Sequence, residues 1–155
     1  YYTYSGRDAC GGWSEAIGEI TYNHYRMYGD KRIIRENLPS LKRLLAYYEA
    51  DSVGYLRDGG NSYGDWLSAG EVTDRGLIAS LYYARAAYDA YLLGRIINDS
   101  EAERYHDLYQ SIKAAICSRY FNTELRCESD TQTAYVLSYK TGIICGASCV
   151  RRICT

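Results

Sequence analysis

Four things are scarce in this chain of 155 residues: histidine, paired cysteines, long apolar runs and an excess of either charge. Eighteen basic residues meet nineteen acidic ones, and no basic stripe stands out, which makes nucleic acid a poor partner. No apolar stretch approaches the ~18 residues that a membrane helix needs, so no membrane partner is expected. No signal-peptide pattern opens the chain. The first residue is tyrosine, and the natural N-terminus is therefore expected upstream. Six cysteines stand at 10, 117, 127, 145, 149 and 154, with no C-x-x-C pair, and the two histidines, His24 and His106, lie far from the cysteine-rich end. That pattern speaks against a zinc site, and no metal or other cofactor is expected. Long helical stretches also speak against a disulfide framework. Reduced thiols and a cytoplasmic location are the expectation, with secretion open if a leader precedes the chain.

Phenylalanine is present once and tyrosine nineteen times. Phenol hydroxyls need water or a hydrogen-bond partner, which suits polar clefts. A plain compositional bias accounts for the excess equally well.

The most informative stretch is Asn61-Ser62-Tyr63-Gly64-Asp65-Trp66-Leu67. It lies in a segment, residues 50–72, with no helical period and helix-like sequence on both sides. Unstructured connections beyond ~12–15 residues are uncommon in compact domains and often functional. An indole beside a carboxylate on a glycine-bearing loop suits a sugar. The ring face packs on C–H groups, and the carboxylate accepts hydroxyl hydrogen bonds. Asp51, Asp58 and Glu71 add acid to this segment, and a solvated face explains them as well as a site does.

Around it the periodicity predicts five helices. The first is capped by Ser14, with Ile17, Ile20, His24 and Met27 on one face, and stops at Gly29. The second follows Asp30, uses Ile33, Ile34 and Leu38, and restarts at Pro39 to present Leu41, Leu44, Leu45 and Tyr48. A third, capped by Thr73 or Asp74, is apolar over more than one face from Leu77 to Leu92 and should be the most buried. Ser100 to Glu103 has the form of a capping box for the fourth, which runs to about Ser118. Residues 119–129 read as irregular, with an extended piece at Tyr120 and Phe121. Asp130 or Thr131, with Asp130 preferred, caps a fifth helix that ends at Gly142. The expected class is all-α, built of antiparallel helical hairpins. Helix starts near 14, 30, 73, 100 and 131 are too uneven for a repeat.

Several segments, in order, resemble the catalytic domain of bacterial α-L-rhamnosidases, six-hairpin glycosidases with an (α/α)6 barrel. They are Gly12-Trp13-Ser14-Glu15-Ala16 leading to Tyr28-Gly29-Asp30, Leu38-Pro39-Ser40-Leu41-Lys42-Arg43, Tyr63-Gly64-Asp65-Trp66-Leu67, Leu77-Ile78-Ala79 with Tyr82-Tyr83-Ala84, Leu93-Gly94-Arg95, and Asp130-Thr131-Gln132-Thr133-Ala134-Tyr135. The likeness runs over residues 11–143, which implies part of such a barrel over residues 1–142 and a divergent cysteine-rich tail, an end artefact on this reading, over 143–155.

The resemblance implies inverting hydrolysis of terminal α-L-rhamnosides by two carboxyl groups ~6.5–9.5 Å apart. It places the general acid upstream and the base downstream, so this chain is expected to carry no catalytic residue and to be inactive alone. A weaker register sets Arg7-Asp8-Ala9 on the acid motif, and there Ala9 would replace the glutamate. What carries over is binding. Glu15 matches an aspartate that holds rhamnose hydroxyls, Tyr22 an aromatic beside the sugar, and Trp66 a tryptophan packing on its apolar face. Asp65 precedes that tryptophan and orients the loop or meets a hydroxyl. Glu15 is one methylene longer than the aspartate, and Thr21-Tyr22 replaces Pro-Trp. The implied partners are a rhamnosylated glycoside or oligosaccharide and the remaining parts of the domain. Two alternatives stay open: another six-hairpin carbohydrate hydrolase, and a helical-repeat interaction module without catalysis.

Overall fold

The computed structural model describes residues 11–59, 63–66 and 68–144. Cys10, Asn61, Ser62, Leu67, the Arg7–Ala9 register and the cysteines at 145, 149 and 154 lie outside the described residues. Five helices follow in order: α1 (Ala16–Tyr28), α2 (Arg32–Asp51), α3 (Arg75–Ile97), α4 (Ala102–Tyr120) and α5 (Gln132–Lys140). Two isolated antiparallel bridges, Val53 with Leu56 and Phe121 with Cys127, complete the secondary structure of the described residues. The second contains Phe121 of the extended piece expected after the fourth helix, whereas Tyr120 is helical and ends α4.

Helix α3 is the axis of the molecule. It packs against α1, α2, α4 and α5 in turn, and nearly every residue from Gly76 to Gly94 is buried or half-buried. Alanines at 79, 84, 86, 87 and 90 let neighbouring helices approach on all sides. Helix α2 contributes the stripe Ile34, Leu38, Leu41, Leu45 and Tyr48, all essentially without solvent contact. Helix α4 returns Tyr105, Leu108, Tyr109, Ile112 and Ile116. Each fully buried Leu or Ile contributes roughly 1.5–3 kcal/mol of transfer free energy. Past α5, Ile143 and Ile144 also enter this core.

Several local expectations need correction. Helix α1 does not bury Ile20 and Met27, which are 66% and 75% exposed. Its inward face is Gly18 and Thr21, with Ile17, Tyr22 and Tyr25 packed alongside. A Cβ on Gly18 would stand 3.0 Å from Asp89 Cβ and 3.3 Å from Leu41. The helices meet too closely there for large side chains, and the bulky residues are turned outward. The helix begins after Ser14, with Glu15 in the flanking position and no side-chain cap.

Pro39 does not restart a helix but lies within continuous α2. It removes one backbone donor, and the carbonyl four residues earlier belongs to exposed Arg35, where water can satisfy it. The buried stripe crosses the proline without a break, so tertiary burial holds the helix together.

Ser100 and Glu103 form no capping box. Asn98 ends α3 in the left-handed region, and Asp99 N–H bonds back to Gly94 O at 2.9 Å in a Schellman pattern. Asp99 then accepts from Glu101 N–H at 2.9 Å and from Lys42 Nζ at 2.9 Å, while Glu103 pairs with Arg95. The turn is too tight for Ser100 to occupy the cap.

Asp74 caps α3 by accepting from Leu77 N–H at 2.7 Å. Thr131, not Asp130, caps α5, accepting from Ala134 N–H at 3.1 Å. Only Thr131 has the extended backbone that a cap requires. Asp130 instead takes the Tyr135 hydroxyl at 2.6 Å and Arg126 at 2.6 Å. Asp51 is not a solvated loop acid either, since it closes α2 and pairs with buried Arg57 at 3.1 Å.

Candidate functional site

The N-terminal ends of α3 and α5, the 63–66 loop and the turn before α1 converge on a cleft of about 670 Å³. That size falls within the ~300–1,000 Å³ of small-molecule sites. Ile78 and Tyr82 from α3 and Thr133 and Leu137 from α5 line it on one side. Gly11, Gly12 and Trp13, then Tyr63, Gly64, Asp65 and Trp66, line it on the other.

Three aromatic rings form a row along this rim. Trp13 and Tyr63 lie 5.4 Å apart between centroids, and Tyr63 meets Trp66 edge-on at 5.1 Å. Both indoles are about two-thirds exposed, Trp13 at 67% and Trp66 at 64%. Two large rings held in a row in water, beside a cleft, mark an interaction surface more than a packing one.

The loop carrying Trp66 is anchored through Asp65. Its Oδ2 accepts from the Thr73 hydroxyl at 2.8 Å, and Thr73 Oγ1 lies 2.6 Å from Thr131 Oγ1. A hydroxyl has one proton. Thr73 gives its proton to Asp65, so Thr131 donates to Thr73, while Ala134 N–H donates to Thr131. This relay ties the loop to the cap of α5 and to the residue before the cap of α3 at once. Gly59 presses the same segment onto α3. Its φ is +73°, and a Cβ there would fall 2.4 Å from the Arg75 backbone, so no other residue fits.

Glu15 lies behind the rim, 3% exposed. Its Oε1 accepts from the Tyr48 hydroxyl at 2.6 Å and its Oε2 from Gly12 N–H at 2.9 Å. Burial pushes its carboxyl upward in pKa, opposed by these hydrogen bonds and by the charge of Arg57. The Arg57 guanidinium stacks 3.8 Å above the Tyr48 ring. Burial and the Glu15 charge in turn push the Tyr48 phenol upward.

The four residues singled out from sequence therefore separate. Asp65 and Trp66 reach the cleft. Glu15 sits one layer beneath it and touches the lining through Gly12. Tyr22 is half-buried two turns further along α1, with Arg26 5.9 Å from its ring, and is not part of the lining. Trp13, Tyr63, Tyr82 and Thr133 were not assigned roles from sequence although all four line the cleft. Trp13 carried a usable signal, an exposed-type indole directly after two glycines, parallel to Trp66 after Gly64-Asp65. Tyr82 and Thr133 carried only their place in segments that resemble the family, because their helical positions otherwise resemble any others. Among the described residues no group of three or more His, Cys, Asp or Glu side chains is placed to hold a metal ion.

Comparison with known proteins agrees with this architecture. Residues 4–151 match the model of the bacterial alpha-L-rhamnosidase 6 hairpin glycosidase domain. An alpha-L-rhamnosidase of Streptomyces avermitilis is 32% identical over 133 residues, covering 86% of this chain and 13% of that protein. The crystal structure of the S. avermitilis alpha-L-rhamnosidase complexed with L-rhamnose superposes with a TM-score of 0.88 at 30% identity, over 94% of this chain and 14% of that one. An alpha-L-rhamnosidase structure from Dictyoglumus thermophilum shares the fold, with a TM-score of 0.82 at 19% identity over 97% of this chain and 18% of that one. The chain thus spans about a seventh of the length of its S. avermitilis relatives. By the family match, its helical architecture and these likenesses, the chain belongs to the bacterial alpha-L-rhamnosidase six-hairpin glycosidase domain family.

Proposed function

We propose that this chain supplies one sugar-binding wall of an α-L-rhamnosidase, a glycosidase that removes terminal α-L-rhamnose by inversion. The observation that carries this reading is the exposed row Trp13–Tyr63–Trp66 along a cleft with Asp65, Tyr82 and Thr133 in its lining. A 6-deoxy sugar has a methyl group and C–H faces for the indoles and hydroxyls for the polar groups. In this reading Trp66 packs on the apolar face of the sugar and Asp65 fixes the loop through Thr73. The substrate is a rhamnosylated glycoside or oligosaccharide. The general acid and base that inversion requires come from other parts of the same domain. The L-rhamnose bound by the similar S. avermitilis enzyme supports the choice of sugar.

A tryptophan-fluorescence titration with L-rhamnose tests it. Saturable quenching with a Kd on the order of 1 mM, about −4 kcal/mol, is expected. Trp66→Ala should weaken binding roughly tenfold, which is about 1.4 kcal/mol. No response to L-rhamnose, or an unchanged affinity in Trp66→Ala, would overturn the reading.

A further inference from the structure

Glu15 stands where the resemblance implies a carboxylate that holds rhamnose hydroxyls. A carboxylate that holds sugar hydroxyls must present an oxygen to the cleft. Glu15 presents neither, being 3% exposed with one oxygen on the Tyr48 hydroxyl and the other on Gly12 N–H. What it does reach is the rim. Gly12 lines the cleft beside Tyr82, at a φ of +90° and so close that a Cβ would stand 3.1 Å from the Tyr82 ring. Trp13, the next residue, follows whatever Gly12 does. The Gly12 N–H bond to Glu15 is a side-chain tether on this turn, and Tyr48, which Ser14 of the same turn also meets, fixes the far end of that tether to α2. Arg57, stacked on Tyr48 and paired with Asp51, closes the assembly from the other side, and its own N–H is bonded to Ser80 of α3 at 3.0 Å.

We propose that Glu15 is a positioning residue that, bridged between Tyr48 and Gly12, holds Trp13 at the angle the sugar wall requires. The proposal rests on the sugar-wall reading for its purpose, but its geometry can be tested without any sugar. It also accounts for the length of the side chain. Aspartate is shorter by one methylene, about 1.5 Å, and cannot span 2.6 Å to Tyr48 and 2.9 Å to Gly12 at once. Glutamine can. Its carbonyl oxygen accepts from Gly12 N–H, and its amide donates to the Tyr48 oxygen, which accepts as readily as it donates.

The chain has two tryptophans, so Trp66→Phe leaves Trp13 as the sole indole. In that background, without sugar, acrylamide quenching and emission anisotropy report on the Trp13 rim. Glu15→Asp and Tyr48→Phe should each raise quenching about twofold and lower anisotropy, and Glu15→Gln should match the parent. Tyr48→Phe and Glu15→Gln keep side-chain volume, so the test stands even if Glu15→Asp does not fold. An unchanged Trp13 signal in Tyr48→Phe, or a Glu15→Gln signal as disturbed as that of Tyr48→Phe, would overturn the proposal. A second arm titrates L-rhamnose with both tryptophans present. Glu15→Gln should keep its affinity within twofold. A tenfold loss with Trp13 undisturbed would assign Glu15 to the sugar directly and overturn the positioning role. If the unmutated chain binds no L-rhamnose, the sugar-wall reading fails, while the Trp13 measurements still decide the role of Glu15.

Discussion

Asp89 shows how much one residue can depend on its surroundings. It sits in the middle of α3, fully buried, with Arg85 as its ion-pair partner at 3.0 Å on the same helix. Burial raises its pKa to about 6, against the pull of Arg85. Glu19 and Lys140, paired at 3.1 Å on the neighbouring helices, add opposing influences. The folded-state pKa lies above the unfolded value of 3.8, so the native state binds more protons between these values. Its stabilising contribution is therefore largest at low pH and is lost as pH rises from about 4 to about 6, by up to a few kcal/mol. Urea unfolding of the chain and of Asp89→Asn at pH 4 and pH 7 checks this. The stability difference between them should shift toward the parent at the lower pH, and a pH-independent difference would refute it. Nothing in the sequence marked this aspartate, because its burial comes from α1 and α5 closing over it. Trp66, by contrast, was legible, since its glycine and aspartate neighbours announce a loop whatever the tertiary contacts.

At the scale of elements, the caps are where local sequence and structure part. Thr131 caps α5 and also joins the relay from Thr73 to Asp65. Thr131→Ala should cost about 1–2 kcal/mol in chemical denaturation, the upper part of the usual cap range, because two bonds are lost. It should also loosen the Trp66 loop, seen as greater acrylamide quenching. Ser100→Ala makes the complementary case. With no cap bond to lose, it should stay within about 0.5 kcal/mol of the parent. Both serine and threonine had suitable capping sequence. The choice between them was made by chain geometry, the Schellman turn at Asn98 in one place and the extended backbone of Thr131 in the other. Pro39 teaches the same lesson in reverse, as a local breaker overruled by a continuous buried stripe.

For the whole molecule, the decisive feature is which carboxylates reach the cleft. Among the described lining residues Asp65 is the acid, and its Oδ2 is held by Thr73. Glu15 is sealed beneath. An inverting glycosidase needs two carboxyl groups across the scissile bond, and this wall presents no such pair. The purified chain should therefore release no p-nitrophenol from p-nitrophenyl α-L-rhamnoside above background, even where L-rhamnose binds. Turnover retained in the chain and abolished in Asp65→Asn would show the reasoning to be wrong.

Helix periodicity, the loop between α2 and α3 and the all-α class could be read from the chain alone, because each depends on neighbours within a few residues. So could the family, because its motifs keep their order and spacing. Which face of α1 is buried could not, since the close approach at Gly18 is set by Leu41 and Asp89 on other helices. Nor could the fate of Glu15. Its partner Tyr48 is 33 residues away, and only the packing of α1 against α2 turns a sugar-like carboxylate into a buried tether.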